Sequence, residues 1–253
     1  MEMKYQTILF DLDGTLTDSQ EGITKSVQYA LAHFGIAVED LSTLRKFIGP
    51  PLTESFKAFY GMDDHDAHVG LVKYRERFTD VGWAENAVYP GIAELVAELK
   101  KSGKRLLLAT SKPEVQALKI MEHFGLKEHF ELICGPALDA PDGYSKADVI
   151  RDALRRAGIT ALGDAVMVGD RHHDVEGAHA VGLPCIGVLY GYGDRKELSA
   201  CGAEVIVEDV AALRAVLLAF AAAHTVAGAG LGLAEQGAHH VLPEGRSAAL
   251  GIS

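Results

Sequence analysis

Phe10-Asp11-Leu12-Asp13-Gly14-Thr15-Leu16-Thr17-Asp18-Ser19 follows the apolar run Thr7-Ile8-Leu9. Residues i and i+2 of an extended chain start on one face. Asp11 and Asp13 therefore leave the end of a buried strand as a pair of carboxylates. Gly14 permits a sharp turn, and Thr15 adds a hydroxyl. Two like charges packed at a strand end cost free energy unless a cation or a shared proton offsets them. A carboxylate nucleophile beside a general acid, with a divalent metal between them, accounts for the arrangement. An acidic solvated turn is the plainer reading of the pair alone.

Three other segments supply what that chemistry needs. Leu106-Leu107-Leu108-Ala109 reads as a strand buried on both faces, and it ends in Thr110 and Ser111 before Pro113 opens a helix. Hydroxyls and free backbone N–H groups at a helix N-terminus suit a phosphate-sized anion. Ser145 reads as a helix cap, which places Lys146 in the first helical turn. An ammonium there balances a phosphate among carboxylates. Ala165-Val166-Met167-Val168-Gly169-Asp170 is again an apolar strand closed by an acid, with Asp174 four residues on. Asp170 and Asp174 can share one face as a helix begins. Mg²⁺ takes oxygen ligands, often a few carboxylates plus waters and substrate phosphate. Asp11, Asp170 and the backbone carbonyl of Asp13 make a fitting protein contribution.

Taken in order, Asp-Leu-Asp-Gly-Thr, an apolar strand ending in Thr, a Lys, and Gly-Asp-x-x-x-Asp resemble the haloacid dehalogenase superfamily of phosphatases. The resemblance spans residues 4 to about 220. Within it, Leu9–Ser19, Phe47–Leu52, Ala109–Pro113 and Val168–Asp174 look most like the phosphoglycolate-phosphatase and 5′-nucleotidase-like branch. The resemblance implies Asp11 as the nucleophile that becomes an aspartyl-phosphate. Asp13 is implied as the acid that protonates the leaving alcohol and then as the base for water. Thr110, Ser111 and Lys146 are implied to hold the phosphoryl group, and Asp11, Asp13 and Asp170 to hold Mg²⁺. Asp174 is implied to orient those groups or to pair with Lys146. The implied substrate is a small phosphorylated metabolite, with a lean toward nucleoside 5′-monophosphates; phosphoglycolate or a sugar phosphate is the alternative. A phosphomutase, chemically close because it also uses an aspartyl-phosphate, ranks lower, and so does a non-catalytic metabolite-binding protein, because Asp11 and Asp13 are both intact.

The fold expected is α/β, a Rossmann-like open parallel sheet with helices on both faces and an inserted all-α cap. After the first motif the strand-like pattern stops for some seventy residues. Ile23, Val27, Ala30, Leu31 and Phe34 form a helical stripe behind a Ser19 cap, and Phe56, Phe59, Tyr60, Val69, Val72, Tyr74 and Phe78 continue as helices. The expected division is a core over 1–16 and 85–223, a cap over 17–84 and a flexible tail over 224–253. Strands are predicted at 105–110, 131–134, 165–168, 184–188 and 204–207. Helices are predicted at 91–101, 113–124, 145–157, 174–181, 194–201 and 209–223. The motifs then fall at the carboxyl ends of strands, where open α/β sheets bind ligands.

Composition narrows the partners. A net charge of −11 over 253 residues argues against a nucleic-acid polymer or an anionic membrane. No stretch approaches a ~20-residue apolar span, and no signal sequence is expected ahead of the first strand. Three scattered cysteines without a C-x-x-C pair suit a reduced, cytoplasmic protein, a monomer or homodimer. Lys46 and Gly49, in Lys46-Phe47-Ile48-Gly49-Pro50-Pro51, are the specificity candidates in the cap. The segment reads either as a loop that folds over the substrate or as a rigid helix connection. His172, His173 and Arg171 read as loop residues, Trp83 as packing, and Tyr190-Gly191-Tyr192-Gly193 as a turn.

Overall fold

The computed structural model describes residues 5–138, 140 and 144–219; the segment 224–253, expected as a tail, lies outside them. Six strands make one parallel sheet: β1 (Thr7–Phe10), β4 (Arg105–Ala109), β5 (Leu132–Cys134), β6 (Ala165–Gly169), β7 (Cys185–Val188) and β8 (Val205–Val207). Their spatial order is β5-β4-β1-β6-β7-β8. Counted among themselves in chain order, this is 3-2-1-4-5-6, the doubly wound arrangement. β1 is central, in register with β4 through Leu9↔Leu107 and with β6 through Leu9↔Met167. The point where the strand order reverses therefore falls at the carboxyl end of β1, where Asp11 begins.

Strand alternation explains why the sheet is buried on both sides. Ile8, Phe10, Leu106, Leu108, Val166 and Val168 join one apolar cluster, which includes Ile92, Leu95 and Leu99 of α4 (Ile92–Lys101), Ile120 of α5 (Glu114–His123) and Leu213 of α9 (Val210–Leu218). Leu9, Leu107 and Met167 point the other way. They meet Val149 and Ala153 of α6 (Lys146–Arg156), Val175 of α7 (His172–His179) and Leu198 of α8 (Arg195–Ala200). The predicted elements of this region are present, with ends shifted by one or two residues in most cases.

All secondary structure between residues 20 and 84 is helical: α1 (Gln20–His33), a 3-10 turn (Leu41–Phe47), α2 (Leu52–Tyr60), α3 (Asp64–Asp80) and a short 3-10 turn (Gly82–Ala84). The chain enters and leaves this segment through a small antiparallel ribbon, β2 (Thr17–Asp18) with β3 (Ala87–Val88). The Ser19 expectation needs correction. Ser19 precedes α1 with φ −98° and ψ 7° and makes no side-chain cap bond. A capping hydroxyl requires an extended residue, and Ser19 is not extended. Asp18 Oδ1 accepts the Gln20 N–H at 3.0 Å instead. Among the described residues, no helix is long and apolar enough to cross a membrane.

Ser145 does act as predicted. Its hydroxyl accepts the Asp148 N–H at 3.3 Å, while Asp148 Oδ2 accepts the Ser145 N–H at 3.0 Å. This reciprocal box fixes the N-terminus of α6 and hence Lys146. Replacing Ser145 by Ala is expected to lower unfolding free energy by about 1 kcal/mol. Urea denaturation should show a reduced midpoint with an unchanged slope.

Candidate active site

Four strand ends converge on one buried polar cluster. Asp11 follows β1, Thr110 follows β4, Asp170 follows β6, and Tyr190–Gly193 lies just beyond β7. Lys146 comes from α6 and Asp174 from the first turn of α7. Lys146 Nζ stands 2.7 Å from Asp11 Oδ1 and 2.8 Å from Asp174 Oδ1, and it donates to the Ala109 carbonyl at 3.1 Å. Carboxylate oxygens of Asp11, Asp170 and Asp174 lie within 4.8 Å of one another. Thr110 is buried beside them, its Oγ1 accepting the Lys112 N–H at 3.2 Å.

The local backbone makes this convergence possible. Gly14 has φ +83°, and a Cβ there would come within 2.2 Å of Asp170 Oδ2. Gly191 closes the other side: its Cβ would lie 2.3 Å from the Gly14 carbonyl. α7 begins two residues earlier than predicted. Asp174 thus lies in its first turn, and its Oδ2 accepts the N–H groups of Asp170 at 3.2 Å and Arg171 at 3.1 Å. The free amides of a helix start favour a carboxylate there.

Charge within the cluster does not balance. Burial raises the Asp11 pKa, Lys146 opposes the rise, and the net movement is upward. Burial, then Asp174 and Asp11, push Asp170 well above the usual carboxylate range. Burial disfavours the Lys146 ammonium, but Asp11 and Asp174 outweigh it, so its pKa rises and it stays charged. Asp11 and Asp174 share the Lys146 ammonium, and Asp170 adds a third carboxyl group within 4.8 Å of them. Asp170 Oδ1 is buried without a hydrogen-bond partner. Hard oxygen donors, an unpartnered buried oxygen and more carboxyl groups than ammonium partners fit a divalent cation such as Mg²⁺.

The structure brings Asp11, Thr110, Lys146, Asp170 and Asp174 together, with Asp13 beside them. Lys46 stands apart: it is exposed, and its ammonium lies over the Phe59 and Tyr60 rings at 4.5 and 5.4 Å. Gly49 reaches the rim, since Arg171 Nη1 donates to the Ile48 carbonyl at 2.8 Å. Ser111 is exposed next to buried Thr110. Sequence reasoning missed Lys112, whose Nζ pairs with Asp13 Oδ2 at 2.9 Å. It also undervalued the late turn. The Tyr192 N–H donates to Asp170 Oδ2 at 2.7 Å, and its hydroxyl reaches Asp18 Oδ1 at 2.8 Å. The available signal was position, because that turn follows an apolar strand as the other motifs do. His172 and His173, expected in a loop, instead open α7, and His172 Nδ1 meets Glu197 Oε1 at 2.7 Å.

A family profile described as haloacid dehalogenase-like hydrolase matches residues 8–188. The chain belongs to that family, and it is a hydrolase of the phosphatase kind. A protein named 5′-nucleotidase from Pseudomonas aeruginosa is 47% identical over 215 residues, 85% of this chain and 96% of that one. Tyrosine-protein kinase PtkA of Mycobacterium tuberculosis is 44% identical over 189 residues, 74% of this chain and 63% of its own length. A solved structure described as a predicted phosphatase from Clostridium acetobutylicum superposes with TM-score 0.80 at 50% identity, covering 83% of this chain and 96% of that one.

Glu197 braces the loop between Asp170 and Asp174. It accepts from Arg171 Nε at 2.8 Å and from the His172 N–H at 2.9 Å. Burial raises its pKa, but those donors and the His172 ring outweigh it and bring the pKa from 4.5 to about 2. A folded pKa below the unfolded one stabilises the native state above the unfolded value, and that stabilisation is lost as pH falls through the folded one. With screening at this partly exposed site, Glu197→Gln is expected to cost about 1–2 kcal/mol at pH 7. In urea titrations, the gap between wild type and variant should close as pH drops from 4.5 toward 2.

Proposed function

We propose that the chain is a Mg²⁺-dependent phosphomonoesterase that acts on small phosphorylated metabolites through an aspartyl-phosphate, with nucleoside 5′-monophosphates as its substrates. One observation carries this reading. Asp11 Oδ1 is held 2.7 Å from buried Lys146, while Asp13, two residues on, is held separately by Lys112. Two carboxylates in different surroundings can take different protonation states and different tasks. The nucleotide choice draws on the P. aeruginosa relative, whose name is 5′-nucleotidase and which this chain covers almost end to end.

Asp11, Asp170 and the backbone carbonyl of Asp13 would hold the cation. When bound, Mg²⁺ supplies positive charge that offsets the phosphoryl oxygens and the approaching carboxylate. Thr110 and Lys146 hold two phosphoryl oxygens and aim phosphorus at Asp11. An Asp11 oxygen attacks phosphorus, the ester P–O bond breaks, and the departing alkoxide takes a proton from Asp13. Asp13, now ionised, takes a proton from a water whose oxygen attacks the aspartyl-phosphate, and inorganic phosphate leaves. Asp174 holds Lys146 and the Asp170 loop in place.

In this reading residues 17–84 cap a core of 1–16 and 85–223, and the Ile48–Pro50 loop closes over the substrate's organic part. Arg171 supports that loop through Ile48. The described cysteines Cys134, Cys185 and Cys201 are free, which fits the reducing cytoplasm. The enzyme is read as a monomer or homodimer.

Asp11→Asn should reduce phosphate release from para-nitrophenyl phosphate by at least about a thousandfold, and chelation of Mg²⁺ should abolish it reversibly. Full turnover in the Asp11 variant would overturn the covalent mechanism. Among nucleoside 5′-monophosphates, phosphoglycolate and sugar phosphates, the first class should give the highest kcat/KM. A higher value for phosphoglycolate would overturn the substrate choice. Phosphate passing to a tyrosine peptide instead of water would place the activity with the M. tuberculosis relative.

A further inference from the structure

Lys112 is a buried cation whose carboxylate partner is not one of the three around Lys146. Its ammonium lies 2.9 Å from Asp13 Oδ2, and only 5% of its side chain is exposed. The other Asp13 oxygen, Oδ1, is buried and has no hydrogen-bond partner. Among the described residues, Lys112 is therefore the contact that orients this carboxylate. The same ammonium sits 4.5 Å from the centroid of the Phe78 ring, a cation–π distance. Phe78 belongs to α3, is fully buried, and stacks on Tyr74 at 5.2 Å.

The backbone of Lys112 is equally constrained. Its N–H donates to Thr110 Oγ1 at 3.2 Å. Its carbonyl packs so close to Gly135 that a Cβ there would stand 2.3 Å from it. The residue is thus fixed at the turn after β4, and its head is fixed between Asp13 and an aromatic ring of the helical segment.

An aspartate side chain has two rotatable bonds, and a single contact on one oxygen selects which way the other faces. Proton transfer demands that selection, because donor and acceptor must come within hydrogen-bond reach. We propose that Lys112 is a positioning residue: braced on Phe78, it grips Asp13 Oδ2 and leaves Oδ1 facing the leaving group as the oxygen that exchanges the proton. The inference rests on the reaction proposed above. In that step the Asp11–phosphorus bond forms, the ester bond breaks, its electron pair stays on the leaving oxygen, and that oxygen takes the Asp13 proton. Lys112 itself neither gains nor loses a bond.

The leaving group supplies the test. A nucleoside 5′-alkoxide must be protonated as it departs, whereas para-nitrophenolate leaves without a proton. Lys112→Met, assayed with Mg²⁺ on the full chain, should lose about a hundredfold in kcat/KM on adenosine 5′-monophosphate, with a smaller loss of under about tenfold on para-nitrophenyl phosphate, since general acid catalysis is worth about 10²–10⁴. Both substrates are read on one preparation, so the ratio is independent of the fraction folded. Lys112→Arg, which keeps the charge, should recover part of the ratio, and Lys112→Met added to Asp13→Asn should not change it further. Equal losses on both esters would overturn the inference, pointing to a phosphate contact or a purely structural role. No loss on either would overturn it as well. Persistent turnover in Asp11→Asn would instead bring down the reaction on which it rests.

Discussion

Two carboxylates share one ammonium at the centre of this molecule, with a third carboxyl group beside them, and much of the fold serves to keep them there. Lys146 Nζ is held by Asp11, Asp174 and the Ala109 carbonyl in a place where water cannot screen the charges. Removing two like charges from water without compensation is expensive. The arrangement persists only because the surrounding backbone is over-determined. β1 is flanked on both sides by parallel strands, the Ser145 box pins α6, and the Asp174 carboxylate is tied to the N–H groups of its own loop. The negative charge left over is what a divalent cation would offset, together with the charge an incoming phosphate monoester adds.

The doubly wound sheet makes this site cheap to build. With strand order reversing at β1, the chain ends of β1, β4 and β6 open toward a common crevice. Residues that are distant in sequence become neighbours without any strain in the strands. Close approach is needed in the turns: Gly14 and Gly191 pass so near Asp170 that side chains there would collide with it. The loop after β7 packs against Asp170 and the Gly14 carbonyl. Burial raises the pKa of Tyr190 and of Tyr192, so both hydroxyls stay protonated, and they tie this loop to the Thr15 carbonyl and to Asp18.

The helical segment contributes in a different way. Its Phe78 ring lies against Lys112, with Tyr74 stacked on Phe78, while the Ile48 carbonyl rests on Arg171. Two elements of the sheet domain, the turn after β4 and the loop after β6, are therefore contacted by residues inserted between β1 and α4. Lys46, which offered charge for substrate recognition in the sequence, turns its ammonium onto Phe59 and Tyr60 instead. An exposed lysine gains more from two nearby aromatic faces than from open solvent.

The sheet, its flanking helices, the inserted helical segment and the cluster of Asp11, Thr110, Lys146 and Asp170 were legible in the residues. Each is signalled locally, by a buried run that ends in a polar residue at a turn, or by apolar spacing of three and four. Element ends moved by a residue or two because caps depend on dihedral angles, as Ser19 shows. Lys112 and Arg171 carried no such signal, and Tyr192 carried only its place after an apolar strand. A lysine beside a proline, or a tyrosine between glycines, reads the same whether it faces solvent or a carboxylate. Sequence alone determined which chemistry the strand ends present, since local periodicity and turn residues encode that. Tertiary structure alone decided that Lys112 meets Asp13, because a pairing between the turns after β4 and β1 depends on crossover packing that leaves no local trace.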